Sequence, residues 1–87
     1  MKIRENYVLS EVAGMSVVVP LGTETTFRNM IKLNETGKYL WELLEKEITY
    51  DALVAAMTEK YSISEELASR DLDAFLESLR AFGALAE

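Results

Sequence analysis

Carboxylates are the main reactive groups in this chain. It has fifteen Asp and Glu, and neither histidine nor cysteine. Without thiol or imidazole there is no thiolate nucleophile, no disulfide, no Cys/His zinc site and no imidazole base near neutral pH. A carboxylate-only site stays open in principle, but the acidic residues show no EF-hand spacing. The adjacent Glu65 and Glu66 are better explained as charges at a helix start. Ser10, Ser16, Ser62, Ser64, Ser69 and Ser78 have no histidine to activate them. Gly14, Gly22, Gly37 and Gly83 are too scattered to form a phosphate loop. Catalysis is disfavoured, no cofactor is implied, and the residue types point toward binding.

The chain has 87 residues, 49% of them hydrophobic and 28% charged, which predicts one folded domain over residues 1–87. Nine Lys and Arg against the fifteen acids leave a formal charge of −6. Phosphate backbones and anionic membrane surfaces attract the opposite sign, so neither nucleic acid nor membrane is an expected partner. The opening MKIRENYVLS has no apolar signal core. The longest apolar run, Val17 to Leu21, contains Pro20 and falls far short of the roughly 20 residues that span a bilayer. The expected location is cytoplasmic.

Positioning comes from three strands followed by three helices. Tyr7 to Ala13 reads as a strand, Gly14 as a tight turn, and Met15 to Val19 as a second strand ended by Pro20. Phe27 to Leu33 reads as a third strand. Phe27, Ile31 and Leu33 point to one face; Arg28, Met30 and Lys32 point to the other. Asn34 caps a helix running to about Glu47, with Leu33, Gly37, Leu40, Trp41 and Leu44 inward. Thr49 caps a second helix, whose inner face is Leu53, Ala56, Met57 and Tyr61. Ser64 caps a third, running to about Phe82 and closed by Gly83. This order predicts an α+β fold: a three-stranded antiparallel sheet followed by three helices, in a winged helix-turn-helix-like arrangement.

The third helix has three distinct flanks at about 100° per residue. Ala68, Phe75, Leu76, Leu79 and Gly83 cluster round Leu72 as the core stripe. Glu66, Asp73, Glu77 and Arg80 form a solvated flank. Leu67, Asp71, Ala74, Ser78, Ala81 and Phe82 form a small, semi-apolar flank. Such a flank serves either close helix packing or one wall of a shallow groove. The other wall would be the third strand, a sheet edge if the strands follow chain order. An edge offers unpaired N–H and C=O groups to an added peptide strand. Arg28 and Lys32, with Met30 between them, are a cationic patch that either guards the edge or steers an acidic peptide.

Other classes fit less well. A DNA-reading third helix would carry Glu65, Glu66, Asp71, Asp73 and Glu77 against Arg70 and Arg80, and phosphate would repel it. A structural adaptor would dock on an enzyme through Trp41 or the helical face, and the inward stripe on which Trp41 lies favours a core role for that residue. The exposed edge can also pair with its own copy, giving a homodimer.

The segments EVAGMSVVVPLG (Glu11 to Gly22), MIKLNETGKYLWELLE (Met30 to Glu45) and ASRDLDAFLESLRAFGAL (Ala68 to Leu85) resemble the PqqD family of coenzyme PQQ synthesis protein D. That family has been generalised as the RiPP precursor peptide recognition element. The resemblance spans nearly the whole chain, with Leu33-Asn34-Glu35-Thr36-Gly37 and Leu40-Trp41-Glu42-Leu43-Leu44 its most specific part. It implies non-catalytic binding of the leader segment of a ribosomally made precursor peptide. The leader would lie as an added antiparallel strand on the third strand, in a cleft against the third helix. The domain would then present the peptide to a modifying enzyme, often a radical SAM protein with auxiliary iron–sulfur clusters. By position, Phe27, Arg28, Asn29, Met30, Ile31 and Lys32 would supply the edge, and Leu67, Asp71, Ala74 and Ser78 the helix side. The stand-alone length and the Met1-Lys2-Ile3 start suggest a discrete protein acting in trans.

Overall fold

The computed structural model describes residues 1–21 and 30–86. The chain order is β1 (Lys2–Ile3), β2 (Tyr7–Val12), β3 (Met15–Pro20), β4 (Ile31–Leu33), α1 (Glu35–Leu44), α2 (Tyr50–Tyr61), α3 (Glu65–Phe82) and β5 (Leu85–Ala86). Strands β2, β3 and β4 form an antiparallel sheet in that order, followed by the three helices. The expected α+β architecture is therefore present, with β4 at one edge and β2 at the other.

The hairpin loop sets the hydrogen-bond parity of this sheet. Ala13 and Gly14 both adopt positive φ, 51° and 79°, and form a two-residue loop, so β2 stops at Val12 and not at Ala13. Across such a loop the flanking residues Val12 and Met15 exchange backbone hydrogen bonds. Alternation then points the backbone groups of Val8 and Ser10 toward β3, and those of Leu9 and Glu11 away from it. Two neighbouring bonds agree with this parity: Leu21 N–H donates to the Asn6 carbonyl (2.7 Å), and Tyr7 N–H turns back to the Arg4 carbonyl (3.3 Å). Pro20 removes no β2–β3 bond, because its nitrogen faces away from β2.

Each helix starts on its expected cap. The Asn34 side chain accepts from Gly37 N–H (2.8 Å), Thr49 from Ala52 N–H (3.1 Å) and Ser64 from Leu67 N–H (3.1 Å). At the end of α3, Gly83 takes φ 87°. Its N–H reaches the Arg80 carbonyl, and Ala84 N–H reaches that of Leu79, which is a Schellman closure. Helix α1 is shorter than expected, ending at Leu44 and not near Glu47. The reason lies at the other end of the chain: Ile48 N–H donates to the Met1 carbonyl (3.1 Å), and the Met1 ammonium binds the Ile48 carbonyl and Glu47.

The β1–β5 ladder was not legible from periodicity. Lys2 and Ile3 pair with Ala86 and Leu85, and Arg4 N–H donates to the Ala84 carbonyl (2.8 Å). The core joins Ile3, Val18 and Leu33 to Leu40, Trp41 and Leu44 of α1, Leu53 and Met57 of α2, and Ala68, Leu72, Leu76 and Leu79 of α3. Ala84 and Leu85 close it from the C-terminal strand. Among the described residues, no helix is long and apolar enough to cross a membrane.

Candidate functional site

The third strand, expected over Phe27 to Leu33, is described only from Ile31 to Leu33. Phe27, Arg28 and Asn29 lie outside the described residues. Opposite β4 stand Val18 with Ile31, Val17 with Lys32, and Ser16 with Leu33. By the hairpin parity, Val18 and Ser16 send their backbone groups toward β4, so Ile31 and Leu33 bond to β3. Lys32 therefore directs its N–H and C=O out of the sheet. Its side chain is exposed and lies on the face opposite Ile31 and Leu33, which face the helices. Lys32 thus offers backbone at the edge and charge on the outer face, not charge inside the cleft.

Between β4 and α3 runs a groove with two continuous parts. A hollow of about 150 Å3 is bounded by Ile31, Lys32, Phe75 and Ser78. A wider one of about 350 Å3 continues along α3 past Asp71 and Ala74, with Thr36 and Leu40 of α1 on its other side. Asn34, Gly37, Phe75 and Ser78 border both. Gly37 allows α1 to sit close here: a Cβ at this position would meet Asn34 Oδ1 at 3.2 Å and Phe75 Cε1 at 3.3 Å.

Five of the expected residues, Ile31, Lys32, Asp71, Ala74 and Ser78, meet in this groove. Met30 directly precedes β4 and is half-buried, outside the lining. Leu67 lies one turn beyond Asp71 on the same flank and is 39% exposed, so it extends the wall without lining the hollow. Asp71, Ala74, Ser78 and Ala81 are all exposed. The close-helix-packing reading of this flank therefore does not apply: none of these residues is buried beneath another helix. Phe82 departs from the flank and packs at a tilt against Tyr7, with ring centroids 5.4 Å apart. Ser78 Oγ donates to the Ala74 carbonyl (3.1 Å), leaving its oxygen free to accept.

The groove floor is the part missed by sequence reasoning. Phe75, Gly37, Leu40 and Leu79 read as core and Asn34 as a cap, yet all of them border the groove. A signal was present for Phe75. On the helical wheel it falls between Leu72 and Asp71, at the border of the core stripe and the small flank.

The fold and groove define a winged helix-turn-helix-like α+β domain with an open sheet edge beside its third helix. The chain belongs to the PqqD family: the model for coenzyme PQQ synthesis protein D matches residues 16–85. A solved structure, TbiB1 in complex with the TbiA(beta) leader peptide, is similar over 100% of both chains, with 28% identity and a TM-score of 0.78. No curated protein sequence matches the chain significantly.

Proposed function

We propose that the chain, as one domain over residues 1–87, binds the leader segment of a ribosomally made precursor peptide and presents it to a modifying enzyme. The observation that carries this reading is the open backbone of Lys32 at the β4 edge, next to the groove against α3. An extended peptide adds there as a strand through main-chain bonds, and alternate side chains reach the groove. Membership of the PqqD family and likeness to a domain solved with its leader peptide support the same reading.

The domain itself is non-catalytic in this reading. It acts by tethering, which raises the effective concentration of substrate at the enzyme. The enzyme, a radical SAM maturase by family resemblance, is a separate cytoplasmic protein. Met30 continues the receiving edge, Leu67 extends the helix wall, and leader contacts at Phe27, Arg28 and Asn29 rest on the family resemblance alone. Nucleic acid is not the ligand, since α3 exposes Glu65, Glu66, Asp71, Asp73 and Glu77.

The test is a titration of the dye-labelled leader half of a short precursor encoded beside this gene, read by fluorescence anisotropy. Binding near micromolar, about −8 kcal/mol, is expected. Absence of binding by the folded domain, or equal binding of the core half, overturns the proposal.

A further inference from the structure

The sheet has a second open edge, on β2. Leu9 and Glu11 direct their backbone groups away from β3, and neither finds a backbone partner among the described residues. Beside this edge lies a hollow of about 740 Å3. Its walls are β2, the β1 segment and α1, and Trp41 and Ile3 lie at its apolar base.

The α1 wall carries an excess of negative charge: its cation, Lys38, is shared between Glu11 and the nearby Glu42. Glu42 and Glu45 border the hollow and are exposed, and neither forms an ion pair with a described residue. They stand at the C-terminal end of α1, where the helix dipole is already negative and the last turn has no basic residue. Lys38, the cation on this wall, is engaged by Glu11 at 3.1 Å. Lys2 and Arg4 lie on the β1 side together with Glu5, so the acidic excess is on the α1 wall.

We infer that the β2 edge is a docking surface for a partner protein, which adds an extended segment with lysine or arginine at alternate positions. Main-chain bonds to Leu9 and Glu11 fix the strand. Its cationic side chains on the helix-facing side meet Glu42 and Glu45. A second copy of this chain is a poor occupant: pairing β2 with itself brings two acidic α1 walls together on a protein of charge −6. The surface lies across the sheet from β4, roughly 10 Å away over two strand spacings. Both edges can therefore be filled at once, and docking on β2 does not depend on whether β4 receives a leader.

The probe is a capped synthetic decapeptide of alternating valine and lysine, added to the whole protein. Trp41 is the sole tryptophan and borders the hollow, so its emission reports binding there. NMR solvent exchange should show protection of the Leu9 and Glu11 amides and not of Lys32. A double Glu42→Lys, Glu45→Lys variant, with both changes on exposed positions, should bind at least tenfold more weakly while melting like the parent. A valine–glutamate decapeptide should not bind. Four outcomes overturn the inference: no protection at Leu9 and Glu11, protection at Lys32 instead, equal binding of the acidic peptide, or protection that rises with protein concentration alone. The last would make the occupant a second copy. Leader binding is read separately, at Lys32, so failure of either idea leaves the other measurable.

Discussion

Lys32 stands opposite Val17 in the β3–β4 ladder as a non-hydrogen-bonded pair, so its N–H and C=O point away from the sheet while its neighbours Ile31 and Leu33 bond inward. A three-residue strand thus has a single residue that can receive a peptide backbone without giving up a sheet bond. The parity comes from the two-residue loop at Ala13 and Gly14, on the far side of the sheet.

Proline at position 32 isolates that donor. Lys32→Pro removes an N–H that the sheet does not use, whereas Ile31→Pro removes one bonded to β3. Lys32→Ala serves as the control, losing the charge but keeping the N–H. Leader affinity should fall about 3- to 10-fold from Lys32→Ala to Lys32→Pro, the worth of one hydrogen bond at about 0.5–1.5 kcal/mol. The melting temperature should fall much more for Ile31→Pro than for Lys32→Pro. Equal leader affinity of the Ala and Pro variants would show that no strand adds at β4.

A charge on the opposite wall tests the groove itself. Ala74 is exposed and borders the wider hollow, so Ala74→Glu fits the fold without strain. It places a carboxylate beside Asp71 on the surface where apolar leader side chains would sit. Affinity should drop about tenfold or more, about 1.4 kcal/mol, at an unchanged melting temperature. Calorimetric titration alongside thermal melts checks this, and unchanged affinity removes Ala74 from the site.

Gly37 links helix packing to the groove floor. An alanine there gains helix propensity of about 1 kcal/mol but presses on Asn34 and Phe75 at 3.2 and 3.3 Å. Asn34 is both the cap of α1 and a groove residue, so displacing it gives back about 1 kcal/mol of capping. Gly37→Ala should leave the melting temperature nearly unchanged and weaken leader binding several-fold. Binding at parental strength would mean that Phe75 yields without touching the peptide.

Local signals made most of this fold legible. Asn34, Thr49, Ser64 and Gly83 each close a helix end through bonds to residues within a few positions, so composition alone marks them. The small flank of α3 was visible because angular position is a local property. Features that depend on distant partners were not. Lys2 and Ile3 become a strand only because Leu85 and Ala86 return beside them, and two residues carry no periodicity. The early end of α1 depends on Met1 meeting Ile48. Phe75 and Gly37 serve core and groove together, and a pattern that sorts residues as inside or outside assigns each to one.

Trp41 separates packing from docking. It is 1% exposed within the cluster joining all three helices, so it cannot anchor a partner from the surface. Trp41→Ala should cost about 3–5 kcal/mol by cavity formation, a large share of the roughly 5–15 kcal/mol that holds a domain of this kind. Urea unfolding followed by circular dichroism measures it. A loss below about 1 kcal/mol would show that the α1 stripe is not the centre of the core.

The Glu11–Lys38 pair should act within defined pH limits. Hydrogen bonding from the Lys38 ammonium, then its charge and the Ser16 hydroxyl, hold the Glu11 carboxyl below its ordinary range. The same bond and charge raise Lys38 above its own. A lowered carboxyl adds stability that is present above its unfolded value, about pH 4, and is lost as pH falls through the folded one. A raised amine adds stability that is present below its unfolded value and is lost as pH rises through the folded one. Wild type should therefore melt slightly above Lys38→Met across the neutral range. The gap should close in acid below about pH 4, close again at strongly alkaline pH, and shrink in high salt, because both groups are exposed. Melting curves of the two proteins across pH decide it: a gap that persists in acid would mean that Lys38 stabilises through its methylene stem and not through Glu11.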